Sequence, residues 1–352
     1  MLILKDIFNK ISKDIGIDLG TANTLVYVRG RGIVINEPSI IALNKKNGQI
    51  LAIGREARKM VGKTPSHITV SRPLVDGVVS DFEATEMMLK YFINKVREDS
   101  FTSLLSPRVV VGIPSGVTEV EKRAVIDVTQ SAGAREVYLV DEPMAAAIGA
   151  RLPVEEATGN MIVDIGGGTA EIAVISLGGI VASRSLKVAG DKMNEDVVRF
   201  VRNRYNLLLG EKTAEDIKIS IGSAYPMEQE LEMVIRGRDL ISGLPKEVVI
   251  GDDEIREALA HSVRIIAGNV KAVIEETPPE LVGDIMQKGI ILAGGGGVIK
   301  GLDQLIAEQT GMPVRKMEDP LTAVVRGTGI VLENLSKFKE MLTDLGDGKR
   351  IR

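Results

Sequence analysis

The sequence predicts an α/β protein assembled from two related domains. Strand-like and helix-like segments alternate along the chain. An apolar strand, an Asp, a Gly-containing turn with Thr and a second apolar strand occur at 15–28 and again at 161–174. A polar stretch carrying Pro and Gly, Arg151–Asn160, separates the two blocks that these hairpins open. Matching Asp-x-Gly turns about one domain length apart are most simply explained by a duplicated domain.

In the first block, Ile15–Asp18 and Leu25–Arg29 read as strands around a Gly-Thr turn, followed by strands at Gly32–Asn36 and Ser39–Leu43. Thr85–Arg97 has helical periodicity. Arg108–Ile113 is a continuous apolar strand that ends at Pro114. Thr118–Ala132 reads as a helix, because Thr118 with Glu121 three residues on forms a capping-box signature and Gly133 follows its end. Val137–Val140 is a short strand, and Pro143–Ala150 is a small-residue helix with Pro in its first turn.

The second block opens with strands at Met161–Asp164, Glu171–Ser176 and Ile180–Lys187. Asn194–Tyr205 and Thr213–Gly222 read as helices, and Leu231–Arg236 and Glu247–Ile250 alternate as strands do. Asp253–Glu276 is a long helix stopped by Pro278-Pro279. Gly289–Leu292 is an apolar strand running into Gly294, Gly295, Gly296 and Gly297, and the tail from Thr343 is polar.

Composition narrows the function classes. The 352 residues are 44% hydrophobic and 26% charged, as in globular proteins. A net charge of −4 argues against broad nucleic-acid binding, and aromatics at 3% leave little for base stacking. With no Cys, there is no disulfide scaffold, Cys-zinc site or Cys nucleophile. The two His, His67 and His261, are too few and too far apart in sequence to suggest a His-rich metal site or a His-based triad. No segment has the ~20 mainly apolar residues of a membrane-spanning helix. The N-terminus lacks the basic start and small-residue cleavage site of a signal peptide. It is amphipathic: Ile3, Leu4, Ile7, Phe8 and Ile11 share one helical face. That pattern suits a helix lying on a membrane or one packed on its own domain.

The repeated hairpin carries specific chemistry. Glycines let the backbone approach an anion, the turn amides point into the gap, and Thr adds a hydroxyl. An Asp this close to phosphate is repulsive unless a cation lies between them. Two such residues, Asp18 and Asp164, suit a hydrated Mg²⁺ held through water. Either hairpin alone would read as an ordinary turn; the matched pair favours phosphate binding. Other nucleotide signatures fail. Gly62-Lys63-Thr64 resembles the end of a P-loop, but Ala57 stands where the first Gly is needed and Pro65 follows. No G-x-G-x-x-G follows a strand, and H-E-x-x-H and G-x-S-x-G are absent.

Together, the two hairpins, the Asp141–Ala147 segment (DEPMAAA) and the Gly294–Gly297 run resemble the actin, heat-shock chaperone and sugar kinase superfamily. Within it the chain is most similar to the bacterial rod-shape actin family, over about Asp14–Leu332. The resemblance implies an actin-like ATPase fold: two duplicated α/β domains, each with a small subdomain, and a nucleotide in the central cleft. It places the first domain at 1–150, with a small subdomain at about 37–73 and a returning segment at about 328–352. The second is placed at 151–327, with a small subdomain at about 191–253.

The family's site residues carry over by position. Asp18, Gly20, Thr21, Ala22 and Asn23 match its first phosphate loop; Asp164, Gly166, Gly167, Gly168 and Thr169 match the second. Glu142 matches the residue that activates the attacking water, a task that a carboxylate performs as proton acceptor. A carboxylate stabilised by a helix dipole would look the same in sequence. Glu142 and Asp164 are thus the candidate catalytic residues. Glu215, Asp216, Ile217 and Lys218 resemble the nucleoside-contacting helix, although Glu215 and Lys218 also fit a solvated i,i+3 ion pair. Gly294–Gly297 resemble the loop beside the sugar and α-phosphate, and Asp191 matches a further cleft position. Val298 stands where the family often has Ser or Thr after its glycines.

The function implied is that of a slow, Mg²⁺-dependent ATPase, converting ATP to ADP and phosphate, that self-assembles into double protofilaments. Such filaments line the inner face of the cell membrane from the cytoplasm and organise cell-wall synthesis and rod shape, with cell-wall synthesis and shape proteins as partners and no nucleic acid. Membrane contact is expected through Met1–Ile11 and the apolar loop Phe101–Leu105. The competing classes are a sugar-type small-molecule kinase, a chaperone-type ATPase and a nucleotide-binding regulator that does not hydrolyse.

Overall fold

The computed structural model describes residues 14–98 and 106–343, so the expected membrane contacts Met1–Ile11 and Phe101–Leu105 lie outside the described residues. The described residues divide into two compact units: one holds 14–98, 106–157, Ile175–Ile180 and 321–343; the other holds Thr158–Val174 and Val181–Pro320. Among the described residues, no helix is long and apolar enough to cross a membrane.

The first unit is built on strands β1 (Ile15–Leu19), β2 (Asn23–Val28) and β3 (Gly32–Pro38). A small three-stranded sheet follows, of β4 (Ile41–Asn44), β5 (Ile50–Ile53) and β6 (Ile68–Ser71), with helix α1 (Arg55–Met60) between the last two strands. Next come the two-residue strands β7 (Leu74–Val75) and β8 (Val78–Val79), then helix α2 (Phe82–Glu98) and strand β9 (Arg108–Ile113). Helix α3 (Glu119–Ser131), strand β10 (Glu136–Asp141) and helix α4 (Glu142–Gly149) complete this run. The main sheet has the order β10-β9-β1-β2-β3, with β10, β9 and β1 parallel and β1, β2 and β3 antiparallel.

Continuous apolar runs such as Val109–Val111 arise because these central strands are buried. Met88, Leu89, Phe92 and Ile93 of α2 and Val125, Ile126 and Val128 of α3 pack with Ile17, Val109 and Val111. The predicted capping box at Thr118 and Glu121 is present, with the Glu121 N–H donating to Thr118 Oγ1 and the Thr118 N–H donating to Glu121. At the base of the sheet, fully buried Asp14 accepts hydrogen bonds from the Arg108 N–H, Nε and Nη2 at 3.0, 3.0 and 2.5 Å.

The second unit contains β11 (Asn160–Ile165), most of β12 (Ala170–Ser176) and of β13 (Gly179–Leu186), α5 (Gly190–Tyr205), β14 (Leu207–Leu208) and α6 (Glu211–Ile221). It continues with β15 (Glu232–Asp239), β16 (Pro245–Gly251), α7 (Asp252–Glu275), α8 (Pro279–Lys288), β17 (Ile290–Ala293), α9 (Leu302–Thr310) and β18 (Val314–Lys316). Its main sheet has the order β13-β12-β11-β17-β18, and β14-β15-β16 form a smaller one. One core joins Val163, Ile172 and Val174 of the sheet to Met193 and Val197 of α5, Ile217 of α6 and Leu259, Val263 and Ile266 of α7. Helix α5 begins four residues before its predicted start: Ala189 at its N-cap makes no side-chain cap bond, so no capping signal marks the position.

The chain then returns to the first unit as α10 (Ala323–Glu333), which packs on α4 and on β1. After it, the Thr343 N–H donates to Leu139 O of edge strand β10 at 2.9 Å.

Candidate functional site

In the first unit, Asp18 lies near the C-terminal end of β1, and the following turn, Gly20–Ala22, leads into β2. Ser39 holds that turn. Its hydroxyl donates to Gly20 O at 2.6 Å and its N–H donates to Ala22 O at 3.0 Å. Thr24 Oγ1 lies 2.9 Å from Ser39 Oγ; because the Ser39 proton is already given to Gly20, Thr24 is the donor. Thr21 Oγ1 accepts the Gly77 N–H at 2.9 Å, which leaves its own proton for another acceptor. Gly77 sits in the Asp76-Gly77 turn joining β7 to β8, where both residues have positive φ, 50° and 76°, as a tight hairpin turn requires.

Asp18 pairs in register with Gly112 of β9, and Gly112 with Val140 of β10. Three parallel strands therefore end side by side, where ligands of α/β sheets bind. Glu142 follows β10 directly as the first residue of α4 and is buried. Gly112 keeps the gap beside it open: a Cβ there would lie 3.5 Å from Glu142 Cγ and 2.9 Å from Val324 Cγ1. Burial pushes the Asp18 carboxyl up to about 7, and neither a cation nor a hydrogen bond among the described residues offsets it. A half-buried carboxyl at a strand end, without a charge partner among the described residues, is suited to a hydrated divalent cation, whose charge would favour its ionised form. The donor chemistry of the loop thus fits Mg²⁺ and phosphate.

The second unit repeats the plan. Asp164, buried, lies near the end of β11, and Gly166, Gly167, Gly168 and Thr169 turn the chain into β12. The Gly166 N–H donates to Thr169 O at 2.8 Å and closes the turn. Helix α5 starts against it, with the Gly190 and Asp191 N–H groups donating to Gly166 O and Gly167 O at 3.1 and 2.8 Å. Asp164 pairs with Ala293 of the parallel strand β17, so the Gly294–Gly297 run leaves its strand beside this loop. Gly294 has φ of 75°, and a Cβ there would lie 2.3 Å from Ile165 O and 2.4 Å from Asp164 Oδ1. Close packing of the run on the Asp164 strand thus demands glycine within the protein itself.

On α6, the four predicted residues diverge. Lys218 turns to α5, its ammonium donating to Gly190 O at 2.8 Å. Burial lowers its pKa, against the pull of the Glu215, Asp191 and Glu211 carboxylates. Glu215 is half-buried, Asp216 is exposed, and Ile217 is fully buried in the core. Sequence reasoning did not single out Ser39, Gly112 or Gly190, whose roles depend on contacts distant in the chain.

The MreB/Mbl protein family profile matches residues 12–340. The chain belongs to the MreB/Mbl family. It is 49% identical over 327 residues to the cell shape-determining protein Mbl of Bacillus subtilis, covering 93% of this chain and 98% of that protein. It is 50% identical over 335 residues to the cell shape-determining protein MreB of Escherichia coli, covering 94% and 96%. The crystal structure of Spiroplasma citri MreB5 bound to ADP superposes with a TM-score of 0.88 at 42% identity, covering 94% of this chain and 98% of that one. The MamK double helical filament matches with a TM-score of 0.77 at 23% identity, which shows the shared actin-like fold. As an MreB/Mbl family member, this chain is a cytoskeletal cell-shape protein.

Proposed function

We propose that this chain binds ATP and ADP with Mg²⁺, hydrolyses ATP slowly, and couples the nucleotide to self-assembly into double protofilaments on the inner face of the cell membrane. The observation that carries this reading is the recurrence of one device. In each unit an Asp lies near the end of a buried parallel strand, and a glycine-containing loop with Thr follows. MreB5 of Spiroplasma citri, 42% identical, has been crystallised bound to ADP and bound to AMPPNP, which supports a nucleotide as the ligand.

The two loops take the phosphates through backbone amides and the Thr21 and Thr169 hydroxyls. Mg²⁺, when bound, supplies charge neutralisation at the phosphate oxygens. Asp18 and Asp164 are the residues that would hold it, through water. Glu142, at the start of a buried helix, orients water and accepts its proton as the oxygen attacks the γ-phosphorus and the bond to the β,γ-bridging oxygen breaks, with ADP as the leaving group. Lys218 and Glu215 present the nucleoside-binding face of α6, and the Gly294–Gly297 run passes the sugar and α-phosphate. The domain and small-subdomain division stated above belongs to the same proposal. So do membrane contact through Met1–Ile11 and Phe101–Leu105 and association with cell-wall synthesis and shape proteins.

Pelleting with ATP, with ADP and without nucleotide, with negative-stain imaging of the pellet, tests the assembly. Nucleotide-dependent filaments are expected; an absence of filaments in every condition refutes it. Phosphate release tests the chemistry. Glu142→Gln should slow it ~10²–10⁴-fold with nucleotide affinity nearly unchanged. An unchanged rate removes Glu142 from the mechanism.

A further inference from the structure

Helix α4, which begins with Glu142, has all eight residues buried. It makes its densest packing with α10, and the two backbones touch. A Cβ at Gly327 would lie 1.8 Å from Ala145 O, and a Cβ at Gly149 would lie 1.9 Å from Ala323 O. Ala145 and Gly149 are one turn apart on α4; Ala323 and Gly327 are one turn apart on α10. The helices are therefore locked at two successive turns, and Ala145 is only three residues from Glu142. Helix α10 also lines the gap above β9, where Val324 Cγ1 and Glu142 Cγ lie 2.9 and 3.5 Å from the point a Gly112 Cβ would occupy.

We propose that Gly149 and Gly327 are positioning residues for Glu142: their missing side chains set the depth at which α4 lies on α10, and hence where the carboxylate meets the attacking water. The inference rests on the reading of Glu142 given above. A Cβ does not approach a carbonyl oxygen within about 3 Å, so Gly327→Ala must separate the helices by about 1 Å. Displacing a catalytic group by ~1 Å costs on the order of 10²-fold in rate. Nucleotide affinity, which the loops at Gly20–Asn23 and Gly166–Thr169 supply, should change far less.

The test measures nucleotide Kd, single-turnover phosphate release and melting temperature for the full-length protein, Gly327→Ala, Glu142→Gln and the double variant. The expected result is a ~100-fold slower release in Gly327→Ala with Kd within a few-fold of the parent. Adding Gly327→Ala to Glu142→Gln should slow release no further, although it lowers the melting temperature equally in both backgrounds. Independent, multiplying losses would show that Gly327 acts through stability alone and would overturn the proposal. An unchanged rate in folded, nucleotide-binding Gly327→Ala would overturn it too. If Gly327→Ala does not fold, Val324→Ala replaces it in the same cycle: trimming the α10 side chain beside Glu142 should slow release several-fold only where Glu142 is intact. Should Glu142→Gln alone leave release unchanged, the reading of Glu142 fails, and that result is separate from any effect of Gly327.

Discussion

Replacing Ser39 by alanine removes two hydrogen bonds at the first loop, those to Gly20 O at 2.6 Å and from Thr24 Oγ1 at 2.9 Å. Each bond contributes a net ~0.5–1.5 kcal/mol, and stranding the hydroxyl of fully buried Thr24 adds a desolvation cost of ~1–3 kcal/mol. Gly20 is half-buried, so water can replace part of its bond. The expected loss is therefore ~2–3 kcal/mol, or a fall of roughly 5–10 °C in melting temperature. The Gly20–Ala22 turn also loses its brace, so ATP affinity should weaken by about tenfold, a loss comparable to one hydrogen bond. Ser71 provides the control: its Oγ is buried and makes no hydrogen bond among the described residues, so Ser71→Ala should be close to neutral. Calorimetry and fluorescent-nucleotide titration of both variants decide the matter. If Ser39→Ala costs no more than Ser71→Ala, or if ATP affinity is unaffected, the loop is not held as argued.

Asp18 carries a pH signature in the nucleotide-free, Mg²⁺-free protein. Its folded pKa of about 7 lies above the ordinary aspartate value of 3.8, so the folded state holds a proton that the unfolded chain releases. Its stabilising contribution is full below about pH 4 and is lost as pH rises through about 7, by up to ~4 kcal/mol. Asp18→Asn should therefore gain stability relative to the parent across that window; parallel melting curves at pH 5 and 7.5 would contradict this. Asp14→Asn leaves half-buried Arg108 facing a neutral amide and should cost ~2–3 kcal/mol in denaturant unfolding, with a loss below 1 kcal/mol counting against the pairing. Gly294→Ala must strain a backbone at φ of 75° and displace Ile165 O; it should weaken ATP binding at least tenfold while the circular-dichroism spectrum stays native. Parental affinity in that variant would show that the run has room to spare.

Much of the fold is legible from local signals. Continuous apolar runs mark the central strands β1, β9 and β11, because both of their faces are covered. The Thr118–Glu121 capping box marks where α3 starts, because orphan helix amides need acceptors near in the chain. Pro278-Pro279 marks where α7 stops and where α8 begins. The repeated Asp-x-Gly turn exposes the duplicated loop, and its resemblance to the rod-shape actins agrees with membership of the MreB/Mbl family.

Other features are visible only in three dimensions. Helix α10 contains Gly327 and Gly329, which oppose helix formation, and its sequence does not announce a helix. Those glycines become intelligible once Ala145 O and the Tyr27 ring are found where their side chains would be. Ile217 shares a helix with Lys218, yet it is sealed in the core while Lys218 reaches Gly190. Ser39 has no motif around it, and its importance comes from Gly20, Ala22 and Thr24 closing around it. By itself the sequence determined most of the central strands, several of the helices, the duplicated hairpin and the chemical types gathered there, since periodicity, capping and turn formation involve neighbours a few positions apart. The tertiary structure alone decided which glycines must stay bare and which hydroxyl braces the loop, since steric clearance and hydrogen-bond partners depend on atoms that only folding brings together.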